Sequence, residues 1–138
     1  MATTIDQDPG EYETGYDVTC EQLAASTTIP AGTLAVNDSG SAKIFTSALY
    51  VAGAKLLGAA HCRFENTTAS VVTGKKMTFR RGCTVDLTGK SGDLPVIADI
   101  GGTVYVSDNF TVQKTAIVSG LAVTLVAIKS NSYRVQLP

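Results

Sequence analysis

Turn-forming residues recur at short, regular intervals along the chain from about residue 27 onward. Gly, Pro and Asn-Asp-Ser groups separate short apolar runs, from Pro30 through the NDSG segment at 37–40 to Gly120. Turn signals roughly every 8 to 12 residues between such runs are typical of an all-β sandwich or barrel. Thr, Val and Ile, which favour strands, supply 39 of the 138 residues. The sequence therefore predicts an all-β, single-domain sandwich or barrel.

The first 22 residues differ from the rest in charge and in pattern. They hold half of the twelve acidic residues and no Lys or Arg. The acids are Asp6, Asp8, Glu11, Glu13, Asp17 and Glu21. An acidic segment broken by Pro9 and Gly10 usually stays extended until it meets a surface. We therefore predict an extended acidic N-terminal arm over residues 1–22 and a β domain over residues 23–138.

Eleven segments have the composition and length of strands. They are residues 33–36, 43–46, 55–64, 70–73, 77–80, 84–87, 96–97, 103–107, 111–114, 121–128 and 133–137. Residues 121–128 include VTLVAI, which is apolar on both faces and is expected to lie centrally in a sheet or under another layer. The last segment alternates apolar and polar residues, which predicts one buried face and one wet face.

The strongest hairpin signal is GGTVYVSDNFTVQKTA at residues 101–116. Val104 and Val106 fall on one face of the first strand, and Tyr105 falls on the other. The Asp108-Asn109 pair tolerates the positive φ angles that tight hairpin turns require.

Residues 47–60 are ambiguous between helix and strand. Ser47 is a possible N-cap, and Leu49, Ala52 and Leu56 would share one face of a helix of about three turns. Glycines at 53 and 58 argue against that helix. The sequence leaves both interpretations open.

Catalytic groups are scarce. His61 is the only histidine and stands beside Cys62 in the segment AAHCRF, which we expect to be buried. Neighbouring residues on a strand point to opposite faces, so these two side chains are not expected to form a catalytic pair. The TGKSGD segment at 88–93 lacks the earlier glycine of a phosphate-binding loop, because residue 84 is Thr. We predict a polar turn there, and no enzymatic activity.

Metal sites, disulfides and membrane segments are also not expected. One histidine and scattered cysteines do not make a zinc ligand set, and the acids of the arm lack the ligand order of a calcium loop. Cys20, Cys62 and Cys83 are an odd number at unrelated spacings, which predicts reduced, mostly buried thiols in a cytoplasmic setting. No apolar run approaches the roughly 20 residues of a membrane span, so we expect a soluble protein without a secretory signal.

One basic cluster, Lys75, Lys76, Arg80 and Arg81, stands in a chain with a net charge of −1. This charge does not predict nucleic-acid binding. The cluster is either a solvated face or a receptor for a carboxylate-rich segment, such as a neighbouring subunit's arm or an acidic patch on a partner. The candidate interface residues are Tyr12, Tyr16, Lys75, Lys76, Arg80, Arg81 and Tyr105.

A series of motifs runs from Phe79 to the C-terminal residues. It comprises GCTVDL, a polar loop, a glycine pair before TVYV, an Asp-Asn turn before TV, an apolar strand and a closing YRVQLP. This order resembles the small head decoration, or cement, proteins of tailed bacteriophages, and the earlier IPAGTLAVNDSGSAKIF resembles the start of such domains. Two features differ: VTLVAI replaces an expected glycine-containing strand, and the acidic arm has no counterpart.

The resemblance implies a structural role. Copies would bind the outer surface of an assembled capsid, bridge neighbouring major capsid subunits and resist internal DNA pressure. It implies a homodimer or homotrimer, located on the virion after synthesis in the host cytoplasm. We expect a jelly-roll-like or β-tulip-like arrangement, and no cofactor, membrane or direct nucleic-acid partner.

Two other functions remain open. A β-sandwich ligand-binding module, for example for cell-surface carbohydrate, would use Tyr50, Tyr105 or Tyr133 as stacking platforms, although the chain has no Trp. An enzyme would need a pocket in which His61, a cysteine and a carboxylate converge.

Overall fold

Two closed five-stranded barrels organise the chain. The structure is a computed structural model that describes Thr3, Asp6 and residues 15–117, 120–130 and 132–138. In chain order the elements are β1 (Tyr16–Leu23), β2 (Thr27–Ile29), β3 (Leu34–Asp38), β4 (Ser41–Ile44), α1 (Ser47–Val51), β5 (Lys55–Ala60), β6 (Phe64–Asn66), β7 (Val72–Arg81), β8 (Thr84–Gly89), a 3-10 turn (Ile97–Asp99), β9 (Thr103–Val106), β10 (Thr111–Gln113), β11 (Leu121–Lys129) and β12 (Ser132–Gln136). The all-β prediction is confirmed, in its barrel form.

The strand order differs between the two barrels. The N-terminal barrel runs β1-β4-β3-β5-β7, and the C-terminal barrel runs β10-β8-β12-β11-β9. Each barrel contains one parallel pair, β1 with β4 and β10 with β8, among antiparallel neighbours. Closure of a sheet into a barrel removes its edges, so the strands of neither barrel present a free edge for pairing with another chain. A separate two-stranded ladder, β2 with β6, adds Ile29 and Phe64 to the core of the N-terminal barrel.

Strands β3 and β5 form a wall that the two cores share. Leu34 and Val36 of β3 belong to the core cluster that fills the C-terminal barrel, whereas Ala35 between them belongs to the N-terminal core. In β5, Ala59 and Ala60 divide between the two cores in the same way. Successive side chains of a strand point to opposite faces, so this wall is buried on both sides.

The hairpin of β9 and β10 fastens the C-terminal barrel to this wall. The Leu34 N–H donates to the Asn109 carbonyl oxygen at 2.9 Å, and Thr46 forms an isolated bridge with Asp108. The predicted hairpin is confirmed, with Val106 opposite Val112. The expected positive φ in its turn is wrong. Among the described residues, Ser26 and Ser39 are the non-glycine residues with positive φ, and the Asp108 carboxylate instead accepts the Phe110 N–H at 2.9 Å.

The predicted arm is wrong at its C-terminal end. Residues 16–22 form most of β1, which pairs with β7 from Tyr16 opposite Arg81 onward. Cys20 and Leu23 are buried in the N-terminal core, while the acidic Asp17 and Glu21 lie on the outer face. Asp17 and Glu21 are therefore exposed residues of a strand and not part of an extended arm.

The ambiguous segment 47–60 contains both structures in succession. Thr46, not Ser47, is the N-cap, because its hydroxyl accepts the Leu49 N–H at 3.2 Å. The helix ends at Val51, and Gly53 with φ of 102° turns the chain into β5. A single turn of helix therefore precedes the strand.

Several predicted strand boundaries also differ. Residues 96–97 enter a 3-10 turn, residues 70–73 and 77–80 belong largely to the continuous β7, and the segment 55–64 divides between β5 and β6. The first of the two placements predicted for VTLVAI is confirmed, because β11 lies centrally in its sheet, paired by β9 and β12. No second layer covers its outer face, where Thr124 and Val126 are exposed. None of the helices among the described residues is long and apolar enough to cross a membrane.

The close approach of Gly58 in β5 to the backbone of β7 can be tested by its effect on stability. This residue has φ of 128°, and a Cβ built on it would lie 2.2 Å from the Arg80 backbone oxygen. We expect G58A to lower the free energy of unfolding by about 3 kcal/mol or more, because strain and a backbone clash combine. The matched control is G53A, where φ is also positive but no atom lies within 4 Å of the added Cβ. It should cost about 1 kcal/mol in urea denaturation. Equal losses would contradict the close approach.

Candidate functional site

The connection between β8 and β9 exposes an unusual number of large apolar side chains. Leu94 and Val96 are each 48% exposed, Ile100 is 43% exposed and Ile97 is 79% exposed. These four account for half of the exposed large hydrophobic side chains among the described residues. We call residues 90–102 the distal loop. A contiguous exposed apolar segment of this kind marks an interaction surface more often than singly scattered residues do.

Hydrogen bonds fix the distal loop at both ends. The Asp93 carboxylate accepts the Thr115 backbone N–H at 2.9 Å and the Thr115 hydroxyl at 2.8 Å. These two donors hold the pKa of Asp93 below its ordinary value. At the other end, the Gly101 N–H donates to the Leu125 oxygen at 2.7 Å, and the Leu125 N–H donates to the Gly102 oxygen at 3.0 Å.

The middle of the loop is braced as well. The Val96 N–H donates to the Asp99 carboxylate at 2.7 Å, and the 3-10 turn follows directly. Within the loop, Pro95 is buried, whereas its neighbours Leu94 and Val96 are about half exposed. The braced backbone leaves Val96, Ile97 and Ile100 exposed, whereas Leu94 packs over Gly89 of β8.

The distal loop lies at the end of the C-terminal barrel that faces away from the N-terminal barrel. The chain passes from the N-terminal barrel to the C-terminal barrel between β7 and β8, near Cys83, and we call this place the junction. Strand β8 starts there and leads to the distal loop. Strand β10, parallel to β8, starts just after the Asp108-Asn109 turn that contacts the N-terminal barrel. Both strands therefore run away from the junction. The exposed apolar side chains form one pole of the molecule.

The sequence did not predict this surface. It assigned residues 96–97 to a strand and the preceding TGKSGD to a polar turn. The available signal was LPVIADI, in which Val96, Ile97 and Ile100 have the spacing of a short helical turn and not the alternation of a strand, between two glycine turns.

The predicted basic cluster divides into two parts. Lys75 and Lys76 are exposed in a bulge of β7 opposite β1, and they form no ion pair among the described residues. The Arg80 guanidinium donates to the Asp17 carboxylate at 3.0 Å. The Arg81 guanidinium donates to the backbone oxygens of Leu56 and Pro138, each at 3.3 Å. The two arginines are thus engaged within their own chain, and the two lysines remain available to a partner.

The three candidate tyrosines have different environments. Tyr16 is 52% exposed and its ring lies beside Gly82. Tyr105 is half-buried on the outer face of β9. Tyr12 lies outside the described residues. None of the described candidates belongs to the distal loop.

A wide, shallow cleft brings together the residues that an enzyme would need. Asp17, His61, Cys62 and Lys76 are among its lining residues. The expected burial of His61 and Cys62 is wrong, because β5 ends at Ala60 and both side chains lie exposed in the following bend. Strand alternation therefore does not separate them.

The geometry of this cleft does not couple a nucleophile to a base. The His61 Nε2 lies 3.3 Å from the Asp17 Oδ1, which also accepts the Arg80 bond. Among the described residues, the Cys62 thiol makes no hydrogen bond, whereas thiol catalysis needs a base within hydrogen-bond reach. Nor do the described residues contain a group of three or more His, Cys, Asp or Glu side chains able to hold a metal. The absence of enzymatic activity stays a prediction.

Comparison of the chain with protein-family models, with curated proteins and with solved structures found no match.

The exposure of Cys62 in this cleft predicts that its thiol reacts more rapidly than the other two. Cys62 is exposed, whereas Cys20 and Cys83 are buried, and burial raises the pKa of the Cys83 thiol. We expect one thiol per native chain to react rapidly with a disulfide reagent such as DTNB, and the other two to react only after unfolding. The C62S variant should lose the rapid phase. Rapid reaction of a second thiol would contradict the described burial.

A second prediction concerns the acid titration of Asp17. Hydrogen bonds from Arg80 and then His61 lower its pKa below the ordinary 3.8. NMR titration of the carboxyl carbon should show this lowering, and R80A should return the pKa toward the ordinary value. Any stability that Asp17 confers is therefore complete above pH about 4 and is lost as the pH falls through its lowered pKa. The difference in melting temperature between wild type and D17N should accordingly shrink in acid. An unchanged pKa in R80A would contradict the pairing.

Proposed function

We propose that the chain is a structural virion protein that binds the outer surface of an assembled phage capsid. In this role it cements neighbouring major capsid subunits against internal DNA pressure. The observation that carries the proposal is the distal loop, which exposes Val96, Ile97 and Ile100 at one pole. The motif order from Phe79 onward, which resembles that of head decoration proteins, supplies the identity of the partner.

The small size of the apolar surface favours a partner that presents many identical binding sites. A stable pairwise interface usually buries about 800 Å² on each side, whereas an apolar patch on a monomer rarely exceeds a few hundred Å². The distal loop, with four large side chains, is small by that standard. Its contact would be weak for one copy and strong for many copies held on one lattice, where avidity accumulates.

The closed barrels fit the same role. A protein concentrated on a shell must not pair its strands with its neighbours' strands, and barrel closure removes the edges that would do so. Contacts are then made by loops and side chains. Lys75 and Lys76, in the bulge of β7, offer positive charge for a second contact with an acidic surface.

The carbohydrate-binding alternative has less support. Sugar platforms need an open aromatic face. Tyr50 packs against Phe45 with ring centroids 5.5 Å apart, and Tyr133 packs against the core of the C-terminal barrel. Tyr105 is half-buried as well. No specific observation favours this function.

Binding to undecorated capsids of the cognate phage tests the proposal. We expect wild-type protein to sediment with the shells, and we expect I97D to bind at least about tenfold more weakly. Burial of a large aliphatic side chain contributes about 1.5–3 kcal/mol, and 1.4 kcal/mol corresponds to a factor of ten. Ile97 is 79% exposed, so the substitution should leave the melting temperature unchanged.

The matched control is V51D, which also places a charge on an exposed apolar residue but lies in α1, outside the distal loop. It should bind as wild type does. If the wild-type protein does not sediment with capsids, the capsid function is wrong. If wild type binds and I97D binds equally well, the distal loop is not the contact.

A further inference from the structure

The Asn109 side chain is fully buried and is bound to a distant part of the chain. The Thr3 backbone N–H donates to the Asn109 Oδ1 at 2.9 Å, and the Asn109 Nδ2 donates to the Thr3 carbonyl oxygen at 2.9 Å. This reciprocal pair reproduces the exchange of two bonds between paired residues of a β-ladder. It recognises a peptide backbone without regard to side chain, and it excludes proline, which has no N–H.

A second contact lies three residues further along the same segment. The Asp6 Oδ1 accepts the Ala31 N–H at 2.9 Å and a bond from the Arg63 Nη1 at 3.1 Å. The Ala31 N–H, and after it the Arg63 guanidinium, hold the pKa of Asp6 below its ordinary value. The combination requires a carboxylate at a fixed distance from the backbone contact.

The groups that make these contacts come from both barrels. Asn109 lies in the turn between β9 and β10, Ala31 lies between β2 and β3, and Arg63 lies between β5 and β6. The N-terminal segment contributes none of them. Their arrangement follows from how the barrels pack, so they form a receptor that exists independently of its occupant.

The occupant can leave this receptor without opening a core. The Asp6 and Arg63 side chains are 47% and 40% exposed. Asn109 loses more on departure, since its amide, which is buried in the occupied site, gives up both of its hydrogen bonds to Thr3. An empty receptor therefore favours rebinding of any segment that offers the same groups.

We propose that Asn109, Ala31 and Arg63 form a binding site for an acidic peptide, and that its occupant is the segment carrying Thr3 and Asp6. The same chain supplies this segment in a dilute monomer. A second copy supplies it when copies are packed closely together. Exchange of an identical element between copies needs no new contacts, and a nearby copy competes when its local concentration approaches that of the tethered segment. The site stands independently of capsid binding.

Two full-length variants separate the receptor from the occupant. T3P/D6A removes the backbone donor and the carboxylate from the segment but keeps the receptor. N109A/R63A keeps the segment but removes the receptor. We expect tagged N109A/R63A to retain T3P/D6A at about 1 mM, a concentration comparable to that of a tethered segment. Tagged N109A/R63A should retain less untagged N109A/R63A, which sets the baseline for any other oligomerisation.

A peptide of residues 1–8 gives a second readout. Titrated into full-length T3P/D6A, it should shift the NMR signals of the Asn109 side-chain amide saturably. The same peptide with Asp6→Asn should bind up to about fivefold more weakly, as expected for loss of an exposed charge pair. If N109A/R63A does not fold, R63A alone serves as the receptor variant.

Binding by the peptide together with retention above the baseline supports the exchange. If the Asn109 signals do not shift up to about 1 mM peptide, the peptide site is wrong. If the peptide binds but retention stays at the baseline, exchange between copies is wrong. Equal binding by the Asp6→Asn peptide would overturn the acidic specificity.

Discussion

Burial of β3 and β5 on both faces is the constraint on which the rest of the structure depends. Alternate residues of these strands enter two different cores, so the core of the C-terminal barrel includes side chains that the N-terminal barrel supplies. Within this sheet, Gly58 of β5 lets the strand approach the Arg80 backbone of the neighbouring β7 closely. Close packing of this kind leaves no room for added volume. The two barrels are therefore parts of one packed unit.

This shared wall also decides where the surfaces for interaction can lie. One end of the C-terminal barrel is occupied by the junction, where the Asn109 turn contacts Leu34. The loop that leaves the opposite end is exposed to solvent, and its hydrogen bonds to Thr115 and Leu125 fix its two ends. An outward apolar pole is thus a consequence of how the barrels join. In the proposed capsid role, each copy makes one such small contact, and the many copies on one lattice together provide avidity.

The acidic residues of the first part of the chain have two roles that their charge alone does not distinguish. Asp17 lies on the wet face of β1 and pairs with Arg80, whereas Asp6 reaches Ala31 and Arg63 from a segment outside the barrels. Both use carboxylate contacts within the chain. Only the second engages groups that could equally receive the segment of another copy.

The sequence by itself determined the fold class, the hairpin at residues 101–116 and the one-sided last strand, because turn residues and alternation of period two are local properties. Tertiary structure decided what depends on neighbours distant in sequence. Tyr16–Leu23 became a strand only because β7 pairs with it, and two-sided burial fell on β3 and β5 and not on VTLVAI. The distal loop was not predicted, since its exposure follows from hydrogen bonds to Thr115 and Leu125. Local pattern records which residues can be buried, but packing selects the ones that are.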